Sequence, residues 1–257
     1  MRIVDLSVPL ANDVPADPPF QKVEIDYGAH DQGALEIAAA FPGLQPEDLP
    51  DGQGWAVERV RISTHNGTHM DAPWHYHPTT DGGATRAPTI DEIPLNWCIR
   101  PGVKLDFREL EDGHLVTPAQ IDAELARIGH TLRPLDIVVC NTRAGALYGT
   151  DQYIHAGCGF GRDATLHLLR HDVKIVGTDG WSWDAPFSIT ARRYADTGDA
   201  SLIWEGHKAG AELPYCQLEK LHALETLPAT GFTVVCFPVT IAGASAGWSR
   251  VVALLDD

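Results

Sequence analysis

Six short runs rich in valine and isoleucine constrain this chain more than any other feature. They are Val57–Ser63, Val103–Phe107, Asp136–Cys140, Val173–Val176, Thr233–Phe237 and Arg250–Leu255, each bounded by turn-forming residues. Runs of that length and β-branched content predict buried strands. Between them lie two helical patterns. In Pro118–Ile128, Thr117 is a cap, Pro118 suits the first turn and Gln120 completes a capping box. Ile121, Leu125 and Ile128 then share one face, and Gly129 supplies the stop. The second helix, Ala164–His171, follows Asp163 as its expected cap and leads into the Val173 run. Strands interleaved with helices predict an α/β domain with a mixed sheet and flanking helices.

Residues 16–54 depart from this pattern. Weak periodicity and many Pro, Asp and Gly residues predict long loops with one short helix over Gln32–Ala40. Segments of this kind often shape a substrate pocket. No repeat, low-complexity tract or linker divides the chain, so residues 1–257 read as one domain.

Charge and cysteine usage exclude several classes. The chain has 35 acidic and 19 basic side chains, a formal charge of −16. That balance opposes a nucleic-acid backbone or an anionic membrane as partner, because both are held by clustered Lys and Arg. Asp5 interrupts the opening MRIVDLSVPL, so no signal-peptide core is expected. The stretch Val234–Gly247 is broken by Pro238, Thr240 and Ser245 and is too short to span a bilayer. Cys98, Cys140, Cys158, Cys216 and Cys236 are odd in number and widely spaced, which predicts reduced thiols and a cytoplasmic location. Cys140 and Cys236 lie inside apolar runs and read as core. No basic neighbour is evident to activate Cys140 as a nucleophile.

Histidine is the unusual component. Twelve histidines spread evenly would place about 0.6 in any thirteen-residue window. The window His65–His77 holds His65, His69, His75 and His77, with Asp71 among them. Imidazole nitrogen and carboxylate oxygen are the donors a borderline divalent ion takes, and His65, His69 and Asp71 offer both. Gly67 and Pro73 disfavour a regular helix, so a strand end followed by a tight Gly67–Thr68 turn is expected to gather the three donors. Asn66 and Thr68 are expected to fix the imidazole tautomers. His75 lies close enough to serve as an acid/base, and Trp74 could wall an apolar pocket. His167 and His171 have no carboxylate in step and read as an ordinary helix face.

The string H-x-G-T-H-x-D-x-P-x-H, formed by His65, Gly67, Thr68, His69, Asp71, Pro73 and His75, resembles the signature of the metal-dependent cyclase family, which includes bacterial kynurenine formamidase and isatin hydrolase. Asp5-Leu6-Ser7 is similar to the family's N-terminal strand, and Gly177–Asp184 to its G-x-D-x-x-S-x-D segment. The resemblance implies a swivelling β/β/α fold and a homodimer or homotetramer. It also implies His65, His69 and Asp71 as metal ligands and His75 as the acid/base. The formamidase branch holds a second metal through a downstream His and a Glu twelve residues later, with the aspartate bridging. His207 and Glu219 have that separation, and Glu205 is a competing carboxylate. The cofactor so implied is one or two divalent ions, zinc or manganese. The branch's N-terminal substrate loop corresponds to Val14–Phe20, which lacks its Trp, and Phe20 joins Trp74 as an expected pocket residue. The implied reaction is hydrolysis by metal-activated water of a C–N or C–O carbonyl bond in a small arylformamide, cyclic amide or lactone. An intramolecular cyclase or dehydratase, and a non-catalytic metal-dependent binder, are the alternatives. A proton shuttle such as His75 is of no use to a binder.

Overall fold

Five of the six Val/Ile runs enter one nine-stranded mixed sheet in the computed structural model, which describes residues 1–256. In chain order the strands are β1 (Arg2–Asp5), β2 (Glu24–Gly28), β3 (Val57–Arg61), β4 (His69–Asp71), β5 (Thr79–Thr80), β6 (Thr85–Arg86), β7 (Ile99–Asp106), β8 (Ile137–Asn141), β9 (Ile175–Thr178), β10 (Cys216–Glu219), β11 (Phe232–Val235), β12 (Ala246–Trp248) and β13 (Val252–Leu255). The helices are α1 (His30–Ala40), α2 (Pro73–Tyr76), α3 (Pro118–Arg127), α4 (Arg162–Leu169), α5 (Phe187–Thr197) and α6 (Glu205–Lys208). The main sheet runs β1-β13-β11-β7-β8-β9-β10-β4-β12. Its centre, β7 to β10, is parallel, and both flanks are antiparallel. No helix among the described residues is long and apolar enough to cross a membrane.

Period-two alternation divides the core between the two faces of this sheet. Val138, Cys140 and Val176 join one cluster with Ile121 and Leu125 of α3 and Ala164 and Leu168 of α4. Their neighbours Ile137, Val139 and Ile175 join a second cluster with Met70, Cys216, Leu218 and Ala253. The central strands are therefore buried on both faces, as parallel strands covered by crossovers are. Helix α3 has the expected cap: Gln120 N donates to Thr117 Oγ1 at 3.3 Å, and Thr117 N donates back to Gln120 Oε1 at 2.9 Å. Gly129, with φ of +66°, ends it. Helix α4 starts two residues earlier than expected, at Arg162, and ends at Leu169. Its N-cap is Gly161, and Asp163 lies inside the first turn without capping it.

Residues 16–54 and the first Val/Ile run form a separate feature. Strand β3 is not buried; all five residues are exposed, and it pairs only with β2. The strand reads Val-Glu-Arg-Val-Arg, so its two valines fall on opposite faces and neither face is apolar enough to fill a sheet interior. Helix α1 extends the expected Gln32–Ala40 segment to His30 and lies against the chain around Trp55. Gly33 and Gly54 allow that approach: a Cβ on Gly33 would sit 1.9 Å from Trp55 O.

Candidate metal centre

The turn after β3 delivers the histidine string to the sheet. Asn66 closes it, accepting from Ser63 N at 2.7 Å, and Gly67 takes φ of +61°, a conformation that favours glycine. Strand β4 then alternates: Met70 enters the core while His69 and Asp71 point to the opposite face. Strand β10 lies antiparallel to β4 with Glu219 opposite His69 and Gln217 opposite Asp71. Directly opposed residues share a face, so all four side chains stand together on that face of the sheet. Pro73 opens the single turn α2, whose second residue pair returns His75 toward Asp71. Helix α6 adds His207.

Asp71 is at the centre of the group. His65 Nδ1 and His69 Nε2 lie 2.8 and 3.3 Å from its Oδ1. His207 Nε2 and His75 Nε2 each lie 3.9 Å from its Oδ2. Glu219 closes the ring, with Oε2 3.6 Å from His69 Nε2 and Oε1 3.7 Å from His207 Nε2. Donors about 2.1 Å from one tetrahedral ion stand about 3.4 Å apart, so most of these spacings suit a common ion. His69, Asp71 and His207 are almost fully buried, and Glu219 is 6 % exposed.

Hydrogen bonding on the far side of the His69 and His207 rings fixes what those two turn inward. His69 Nδ1 is 2.9 Å from Gly67 O, which only accepts, so the proton is on Nδ1 and Nε2 presents a lone pair. His207 Nδ1 makes a short bond to Asp184 Oδ2 and likewise turns a lone pair of Nε2 toward Asp71 and Glu219. Lone pairs therefore face carboxylates. His69 Nε2 and both oxygens of Asp71 are buried with no hydrogen-bond partner among the described residues. Orphaned acceptors at this density are costly unless a cation joins them, and the nitrogen and oxygen donor set fits a divalent ion. Asn66 and Thr68 do not orient the rings as expected: Asn66 Nδ2 donates to Asp17 and to Gln21 O, and Thr68 Oγ1 donates to Lys220 O. That work falls to the Gly67 carbonyl and Asp184, with Trp183 N donating to Glu219 Oε1 at 3.0 Å.

Electrostatics agree with a site built for positive charge. Burial opposes ionisation of Asp71, but the three neighbouring imidazoles of His75, His65 and His69 overcome it and hold the carboxyl well below its usual range. Burial and the Asp71 charge raise Glu219. Burial also pushes His75 down to about 4 against the attraction of Asp71, leaving a neutral imidazole near pH 7. Its side chain remains 23 % exposed, so it borders both the cluster and solvent.

The expected site residues separate into those brought together and those left outside. His65, His69, Asp71, His75, His207 and Glu219 converge. Glu205 does not; it lies beside Gly161 on the other side of α6. Trp74 is 39 % exposed on α2, and Phe20 is 81 % exposed on a turn of 3-10 helix, with its neighbour Gln21 bonded to Asn66. Three contributors had no expected role. Asp184 orients His207, Trp204 stacks on His207 with ring centroids 4.8 Å apart, and buried Lys220 donates to His65 O at 2.6 Å and to Asp17. Asp184 stands at the end of the G-x-D-x-x-S-x-D segment, the one sequence signal that pointed near it. Cys140 is buried, and burial raises its thiol well above the usual range, consistent with a core residue. His167 pairs with Asp122 on a helix surface.

Comparison with known proteins adds family and fold. A family model described as "Putative cyclase" matches residues 4–185. An isatin hydrolase structure bound to the product analogue thioisatinate is 21 % identical, with a TM-score of 0.75 over 99 % of this chain and 92 % of its own. Isatin hydrolase A from Ralstonia solanacearum is 24 % identical, with a TM-score of 0.73 over 99 % and 92 %. A structure described as a potential metal-dependent hydrolase with cyclase activity is 19 % identical, with a TM-score of 0.64 over 98 % and 96 %. At these identities the likeness shows a shared fold.

Proposed function

The chain belongs to the cyclase family, and from that premise we propose that it is a metal-dependent hydrolase cleaving a C–N or C–O carbonyl bond in a small molecule. The observation that carries this reading is Asp71, a buried carboxylate whose two unpartnered oxygens face different donor groups. His65 and His69 with Oδ1 would hold one ion. His207 and Glu219 with Oδ2 would hold a second. Zinc and manganese both accept such a nitrogen and oxygen set. When bound, a divalent ion supplies Lewis acidity toward a carbonyl and lowers the pKa of water.

The chain's own residues supply orientation and proton movement. His75 is the only imidazole of the group that we leave outside the ligand sets, and its Nε2 faces the cluster from a partly open position. There it takes a proton from attacking water and passes it to the leaving nitrogen or oxygen. Trp204 packs edge-on against His75, with centroids 5.2 Å apart, and keeps bulk water from that side of the ring. Trp74 and Phe20 flank the approach as substrate-contacting residues in this reading. The similarity to structures named as isatin hydrolases supports a hydrolytic reaction. Five buried, unpaired cysteines support a cytoplasmic setting. A homodimer or homotetramer is supported by exposed Tyr27, Leu35, Phe41 and Trp55 around the β2–β3 ribbon, apolar surface that association would cover.

The test is an assay of the metal-loaded protein against a panel of arylformamides, cyclic amides and lactones. Hydrolysis of at least one, abolished by chelation and restored by zinc or manganese, is expected. A protein that takes up metal yet hydrolyses no member of the panel would count against the reading.

A further inference from the structure

The four parallel strands end side by side, at Asp106, Asn141, Thr178 and Glu219. Crevices outside the carboxyl ends of parallel strands are common ligand sites, because the following loops diverge there and leave polar backbone and side chains around a gap. A cavity of 510 Å³ opens at this end, and every parallel strand contributes to it. Arg108 follows β7, Asn141 and Arg143 come from the end of β8, Asp179 follows β9, and His222 and Glu225 follow β10. None of these residues belongs to the metal centre.

The chemistry of the lining runs against the composition of the chain. In a protein of charge −16, two arginines converge on one small cavity. Arg108 spends Nε and Nη2 on Asp106, which leaves Nη1. Arg143 has only a 3.5 Å ion pair with Asp112 among the described residues, and its side chain is half exposed. Glu225 is the exposed carboxylate of the lining, and Asp179 is the buried one. The carboxyl of Asp179 accepts from Thr142 N and Oγ1, and burial pushes it up to about 8 against those bonds. Asn141 is 2 % exposed, and its Oδ1 is buried with no hydrogen-bond partner among the described residues. An orphaned buried amide oxygen is costly, and a ligand that satisfies the amide removes that cost.

We propose that this crevice is a second binding site, for a small oxyanion, carboxylate or phosphate, that also carries an N–H or O–H group. Arg143 and Arg108 hold the anion through charge-assisted hydrogen bonds, and the Asn141 amide takes the neighbouring polar group. The site is independent of the hydrolytic reading, since no residue is shared between them.

Calorimetric titration of the metal-loaded protein with glycolate, and separately with inorganic phosphate, tests the proposal. At least one anion should bind, and Arg143→Met should weaken that binding tenfold or more without changing the melting temperature. Arg108→Met should weaken it in the same direction. Loss of glycolate binding alone identifies a carboxylate site, and loss of phosphate binding alone a phosphate site. Absence of binding by both anions would overturn the proposal. So would affinity that survives both arginine substitutions.

Discussion

Asp71 and His75 lie four residues apart and do different work, because one is sealed in the sheet and the other borders solvent. His75→Ala should therefore leave metal content unchanged while turnover falls by about 10²–10⁴, the usual worth of a positioned acid/base; parallel metal analysis and steady-state kinetics check it. Asp184 acts through His207. Asp184→Asn keeps the shape but removes the carboxylate that fixes the His207 tautomer, so affinity for one of the two ions should fall about 10- to 100-fold, read by competition with a metal indicator. The residues legible in the sequence were those confined by local chain: His65, His69, Asp71 and His75 fall within one turn, strand and helical turn, so adjacency alone brought them close. His207 and Glu219 became legible only through a family pattern, since the register of β10 against β4 is what carries Glu219 to His69. Asp184, Lys220 and Trp204 act behind other residues, and no spacing or period advertises a group that touches a ligand from the rear.

Elements were read well where burial on both faces left no choice. The run that forms β8 is apolar on both faces, and α3 has its complete capping box. Val57–Arg61 was misjudged because β-branched content marks a strand without saying whether a core or a ribbon receives it, and β2 has no apolar run to announce it. The ribbon and α1 are held together by close backbone approach, which makes a specific expectation. Gly33→Ala would gain about 0.5–1 kcal/mol of helix preference. It would also drive a Cβ to within 1.9 Å of Trp55 O, backbone that cannot step aside cheaply. Overpacking of that kind typically costs about 1–3 kcal/mol and outweighs the gain. Limited proteolysis should show faster cleavage within residues 24–61 of this variant, with the metal centre unaffected; equal protection would mean that α1 is not seated on Trp55 as described.

Across the whole molecule, one face of the sheet serves two purposes. Helices α3 and α4 cover it over the central strands, and where they stop, at β10 and β4, the same face carries the cluster of buried carboxylates and imidazoles. A sheet interior is a poor place for Asp71 and Glu219 together unless cations neutralise them, so the fold and the metal are expected to depend on each other. The most direct test is elemental analysis of protein dialysed to equilibrium against zinc or manganese. Two ions per chain are expected, retained in His75→Ala and lost in Asp71→Ala. A chain that takes up no divalent ion, or that binds as much metal without Asp71 as with it, would contradict that expectation.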